Sequence, residues 1–171
     1  MSKLNTAADP RHAVPNPMDG GLFRTIPLAA VILSFAVVSF YYGELPDQIP
    51  VHFGASGKAD GFGHKMSLWA LPVINLGMFY LLGITTKTSF KYFNYPVDIT
   101  EANAARQHRI ALQMIAVLRL VCCLLIAYLV YAIVRAAQTG SSALSLVAMG
   151  LFLVGIFGSI IYYYREAKLA A

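Results

Sequence analysis

Four long apolar stretches alternate with polar ones along this chain, and each is long enough to cross a bilayer. Thr25 to Tyr42 carries no charge and closes on Phe40-Tyr41-Tyr42, an aromatic group of the kind that settles at a membrane interface. Ser67 to Thr86 holds Pro72, Asn75 and Gly77, which predicts a bend or loose packing in its outer half. The third stretch runs from about Ile110 to Val134 and is interrupted by Arg119, while the fourth, Ala143 to Tyr164, is uncharged and ends in three tyrosines. Each is about 20 residues or slightly longer, sufficient for roughly 30 Å of hydrocarbon. The pattern predicts an all-α membrane protein with four transmembrane helices, spanning about 25–42, 67–86, 112–134 and 143–164 within a membrane domain over residues 23–165. Residues 1–22, broken by Pro10, Pro15 and Pro17, read as a disordered cytoplasmic tail, and 166–171 as a second one. No small-x-small cleavage site follows the first apolar run, so that run is expected to stay as a helix.

Composition agrees with the pattern. The chain is 58% hydrophobic and only 12% charged, with a mean hydropathy of +0.62, whereas a soluble domain carries about a quarter charged residues. The net charge of +5 does not point to nucleic acid, because the basic residues are dispersed and flank apolar runs. Their distribution fixes an orientation instead. Lys3, Arg11, Arg24, Lys87, Lys91, Arg106, Arg109, Arg165 and Lys168 fall on one side, nine in all, against Lys58, Lys65 and Arg135 on the other. Basic residues stay inside, so both termini and the 87–109 loop are expected in the cytoplasm of a bacterial inner membrane. Cys122 and Cys123 are adjacent within an apolar run and point in different directions on a helix, so packing rather than a bridge is expected of them.

The loop between the first two spans has the most structured sequence. Pro46 and Pro50 favour extended backbone before them, and Ile49 to Phe53 looks like a short strand. Gly54, Gly57, Gly61 and Gly63, with Asp60-Gly61 as a turn dipeptide, allow tight reversals. A short extracytoplasmic ribbon or Ω-like loop follows, anchored on the membrane face by Phe53 and Phe62. Its candidate chemistry is His52, Asp60 and His64. Imidazole and carboxylate suit a divalent ion such as zinc, although the intervals of eight and four residues match no recognised ligand spacing. The alternative is that His52 and Asp60 hydrogen-bond the turn and hold its shape.

The order Leu45-Pro46-x-x-Ile49-Pro50-x-His52-Phe53, then Gly57-x-x-Asp60-Gly61 and Lys65, resembles the signature of a bacterial membrane domain of unknown function found at the N-terminus of SdpI-type immunity proteins. These sit in the membrane and protect a producing cell from its own secreted toxin. A second stretch of the same resemblance is Asn94-Tyr95-Pro96-x-x-Ile99-Thr100-Glu101-x-Asn103, leading to Gln107 and a basic residue in the third span. The resemblance covers about residues 26–135 and implies the topology, a bacterial origin and two motif regions. SdpI-type proteins continue into a further helical domain, so this sequence resembles the stand-alone version.

In the cytoplasmic loop, Thr100 is the expected N-cap of a third helix that starts in water and runs on into the bilayer, with Glu101 in its first turn. Asn103 and Gln107 are four apart on one face and are candidates to pair or to receive a partner. Leu120 to Val134 measures about 22 Å, which places Arg119 in the inner part of the hydrocarbon. It is expected to snorkel or to meet a lipid phosphate rather than Asn75, which lies about 12 Å away in depth. Gly155 and Ser159 form a small-xxx-small pair for packing within the bundle.

Three functional classes fit these features. The first is a binding or protective, immunity-like envelope protein that uses its outer loop on a secreted peptide, an envelope component or another membrane protein. A small oligomeric transporter would use Pro72, Asn75 and Arg119 near the midplane. A metal-dependent membrane enzyme would use His52, Asp60 and His64, yet no nucleophile motif is evident. The first is preferred, with the lipid bilayer as the immediate partner, and neither enzymatic activity nor a cofactor is expected.

Overall fold

The computed structural model describes residues 14–88, 92–140 and 144–171. Lys3, Arg11, Lys91 and Ala143, which entered the sequence reading, lie outside the described residues, as does most of the N-terminal tail. The chain forms α1 (Leu22–Tyr41), β1 (Gln48–Phe53), β2 (Ala59–His64), a 3-10 turn (Lys65–Trp69), α2 (Ala70–Thr85), α3 (Ala104–Thr139) and α4 (Leu146–Leu169). Four helical segments, the second including the 3-10 turn, are long and apolar enough to cross a membrane. They mark a multi-pass membrane protein with a two-stranded antiparallel ribbon between its first two spans.

The 36-residue α3 is about 54 Å long at 1.5 Å per residue. It is the mast of the bundle, touching α1, α2, α4 and β1. Its regular helix begins at Ala104, after a turn in which Thr100 and Asn103 exchange hydrogen bonds. The Asn103 amide donates to Thr100 Oγ1 at 3.3 Å, and the Thr100 amide donates to Asn103 Oδ1 at 2.9 Å. The pair closes the turn ahead of α3; the N-cap position itself falls on Asn103, without a side-chain cap, so the N-cap expected at Thr100 lies three residues before it. The helix ends at Gly140, whose φ of 66° provides the left-handed turn that glycine adopts without strain.

Pro72 falls in the first turn of α2. There its missing N–H costs no helical hydrogen bond, so the irregularity expected of this span sits at its start, where the 3-10 turn passes into α-helix. The α4 helix is capped by Ser145, which accepts from the Ala148 amide at 3.2 Å. It packs on α3 and leaves Val147, Leu151, Val154 and Phe157 exposed, as a lipid-facing helix does. Gly155 is close enough to Val121 of α3 for an added Cβ to come within 3.3 Å; half of the small-xxx-small pair therefore packs inside the bundle.

The larger buried cluster lies under the ribbon, where Leu45 and Ile49 meet Val38 of α1, Leu68, and Val130, Ile133 and Val134 of α3. A second, at mid-bundle, joins Ala30, Val31 and Cys123, with Phe35, Leu76 and Phe79 around it. Residues 14–20, expected as part of the tail, pack on the bundle end away from the ribbon. Val14 and Met18 are buried, Asn16 Nδ2 donates to Thr86 Oγ1 at 3.0 Å, and Asn16 Oδ1 accepts from the Met18 amide.

Candidate functional site

The ribbon is held rigidly on the bundle from its base to its tip. At the base Lys65 donates from Nζ to the Leu45 carbonyl at 3.1 Å, pairs with Asp47 at 3.2 Å and lies over the Tyr42 ring. Pro46 is exposed at the entry to β1, whereas Pro50 is buried. At the tip Gly57 adopts a φ of 77° and its carbonyl accepts from the Leu144 amide at 2.8 Å, which ties the hairpin to the segment before α4. Phe53 packs against the cluster under the ribbon; Phe62 is instead exposed, so only one of the two aromatic anchors is spent on the bundle.

Facing away from the bundle, His52 Nδ1 and Asp60 Oδ1 form a hydrogen-bonded pair with side chains 72% and 54% exposed. Two features of the strands produce it. The pairing is irregular on either side of His52, which lies opposite Gly61; such bulges re-aim side chains. Gly61 also leaves the space that His52 fills, since a Cβ there would sit 2.9 Å from the His52 Cβ. Gly54 plays the same part for Asp60, whose Oδ2 would lie 2.8 Å from its added Cβ.

His64 does not join this pair. It lies opposite Gln48, at the far end of the ribbon, and its Nδ1 accepts from the Met66 amide at 3.1 Å to cap the 3-10 turn. The antiparallel register therefore separates the third candidate ligand from the other two. Among the described residues no group of three His, Cys, Asp or Glu side chains is placed to hold a metal ion. His52 and Asp60 bond each other, side chain to side chain, rather than the turn that the alternative reading assigned to them.

At the opposite end of the bundle the second motif is built around the start of α3. Asn103 is taken up by Thr100 and by the Asp98 carbonyl at 3.0 Å, while Asn94 and Glu101 are exposed and Pro96 is half-buried. Gln107 does not pair with Asn103. It is buried and donates to the Ala167 and Ala170 carbonyls at 2.8 and 3.1 Å, which satisfies the end of α4. Beside it, the Tyr95 hydroxyl shares a 3.1 Å hydrogen bond with Nδ1 of the buried His108, and Phe93 stacks on Tyr95.

Burial pushes the Tyr95 hydroxyl up from 10.0 to about 12. Because the folded value is the higher, the folded protein holds this proton more tightly than the unfolded chain. The contribution is fully present below pH 10 and lost as pH rises through about 12. Tyr95→Phe is expected to flatten the fall in stability across that window; an unchanged alkaline unfolding profile in detergent would contradict it.

Arg119 departs from the snorkelling expectation. It is only 5% exposed, with Nη1 3.1 Å from Met18 Sδ and its guanidinium carbon 3.7 Å from the centre of the Phe79 ring. Asn75 is separate from it, as the depth estimate implied, donating 3.3 Å bonds to Ser34 Oγ and the Cys123 carbonyl. The roles of Met18, Asn16 and Gln107 in these clusters are set by contacts 60 to 101 residues away in sequence, for which no local pattern exists. Ser34 and Asn75, as polar residues inside apolar runs, were the visible signal for the mid-bundle contact.

Residues 29–76 match the family model described as Domain of unknown function (DUF1648). The match takes in most of α1, the whole ribbon and the first part of α2, and stops short of the second motif and Arg119. The chain is also 33% identical over 85 residues to an uncharacterized protein of Archaeoglobus fulgidus, covering 48% of this chain and 46% of that protein. It thus spans about half the length of that curated relative. No solved structure matches.

Proposed function

We propose that this chain is a bacterial inner-membrane protein with both termini in the cytoplasm, whose ribbon faces outward and binds a secreted peptide in a protective, immunity-like role. The observation that carries the reading is the exposed His52–Asp60 pair on a ribbon clamped to the bundle at Lys65 and Gly57. A fixed scaffold that presents polar groups is what a recognition surface requires, because little ordering entropy remains to be lost on binding. Among the described residues each strand has only one strand partner, so the ribbon also offers backbone groups to an extended peptide. Val51 and Phe62 are exposed beside the pair and supply apolar contact. The orientation rests on the basic residues. Among the described residues Arg24, Lys87, Arg106, Arg109, Arg165 and Lys168 lie towards the end away from the ribbon, six against Lys58, Lys65 and Arg135. The resemblance to the N-terminal domain of immunity proteins supports protection as the purpose.

A strain lacking the gene, challenged with envelope-active peptides, is expected to be killed more readily. Wild type restores resistance, whereas His52→Ala and Asp60→Ala do not, although both accumulate normally. An exposed pair is worth only about 0.2–1 kcal/mol to stability, so a defect in these variants reports recognition rather than folding. Normal survival of the deletion strain under every peptide, or full rescue by both variants, would overturn the proposal.

A further inference from the structure

Arg119 sits where α1, α2 and residues 14–20 converge on α3, and its environment leaves its charge unanswered. It takes part in no ion pair among the described residues, and its buried Nε has no hydrogen-bond partner among them. The thioether of Met18 and the face of Phe79 offset part of the desolvation of a guanidinium, but neither neutralises it. Arg119 also lines a cavity of about 460 Å³. Arg24 and Lys87, both exposed, lie on the same cavity, as does one carboxylate, Asp19. Arg119 and Arg24 counted against Asp19 leave the cavity a formal excess of one positive charge.

The remaining walls say which anion fits. Leu28 and Ile84 line the cavity from α1 and α2 and are 39% and 61% exposed, so it opens between two spans onto lipid-facing surface rather than only towards water. We infer that the cavity holds the phosphate of an anionic phospholipid. Arg119 is the buried donor, Arg24 is the outer cation, and an acyl chain lies along Leu28 and Ile84. The guanidinium fork matches phosphate oxygens, and basic pockets between spans on the cytoplasmic side suit such headgroups. This inference depends on the bundle spanning a bilayer and is independent of what the ribbon binds.

The test is native mass spectrometry of the full chain released from detergent, titrated separately with phosphatidylglycerol, phosphatidylcholine and inorganic phosphate. Wild type is expected to retain one phosphatidylglycerol in preference to phosphatidylcholine. Arg119→Gln abolishes the preference, and Arg24→Gln weakens phosphatidylglycerol retention roughly fivefold, as the loss of one surface cation predicts. Equal retention of the two lipids by wild type, or undiminished preference in Arg119→Gln, overturns the inference. Inorganic phosphate that displaces phosphatidylglycerol at equal concentration overturns the lipid source. If Arg119→Gln does not fold, Arg24→Gln decides, because its side chain is exposed at the rim, and an undiminished preference there overturns the inference as well.

Discussion

Ile49→Ala is expected to lower the unfolding free energy by about 3 kcal/mol, the largest effect of any single truncation in the ribbon. Ile49 is 0% exposed and fills the space between Val38, Leu68 and the Val130–Val134 face of α3. The magnitude has two parts. Returning such a side chain to water costs about 1.5–3 kcal/mol, and the cavity left behind adds to it because the helices beneath cannot close on the gap. Contacts between spans differ in kind, because lipid solvates an apolar side chain as well as the protein interior does. The ribbon lies at the end of the bundle, where water drives its burial, so the bundle holds it by the ordinary hydrophobic effect. Val154→Ala on α4, at a side chain 70% exposed, serves as the control and is expected to change stability little. Equal losses for the two variants, measured by unfolding in one detergent, would contradict this account.

Gly57→Val is expected to be comparably damaging by a different route. The backbone there has a φ of 77°, which costs a residue with a Cβ about 1–2 kcal/mol and a β-branched one more. Space is lacking too, because an added Cβ would lie 2.6 Å from the Leu144 carbonyl and 3.3 Å from Leu146 Cδ2. The hairpin tip must then move and give up the hydrogen bond from the Leu144 amide, worth about 1 kcal/mol. A loss of about 2–4 kcal/mol, with faster proteolysis after Lys58, is the expected result. Gly57→Ala should fall between wild type and Gly57→Val, and wild-type stability in both would show that the tip contact carries no energy.

These predictions turn on features that were legible in the sequence to different degrees. The four spans were plain because a bilayer demands about twenty apolar residues in succession, a signal that survives without knowing what packs on what. The position of the ribbon was equally plain from Pro46, Pro50 and the glycines, which act through their own backbones. The Thr100–Asn103 turn belongs to the same class, since its partners are three residues apart, although the N-cap of α3 falls on Asn103 rather than on Thr100. What could not be read was the pairing partner of each side chain across the fold. His64 looked equivalent to His52 by type, and only the strand register places it at the other end of the ribbon. Arg119 looked free to snorkel because residues 14–20 carried no sign that Met18 would cover it. Gln107 looked like a partner for Asn103, yet the end of α4, about sixty residues on, claims it.

The central claim is that the ribbon is fixed on the extracytoplasmic end of the bundle with His52 and Asp60 presented outward. Cysteine labelling in intact cells with a membrane-impermeant maleimide tests it most directly, with Cys122 and Cys123 replaced by alanine to remove background. Lys58→Cys and His52→Cys are expected to label without permeabilisation, whereas Ile49→Cys stays protected until the protein is denatured. Labelling of Lys58→Cys only after permeabilisation would reverse the orientation, and labelling of Ile49→Cys as fast as Lys58→Cys would show that the ribbon is not docked.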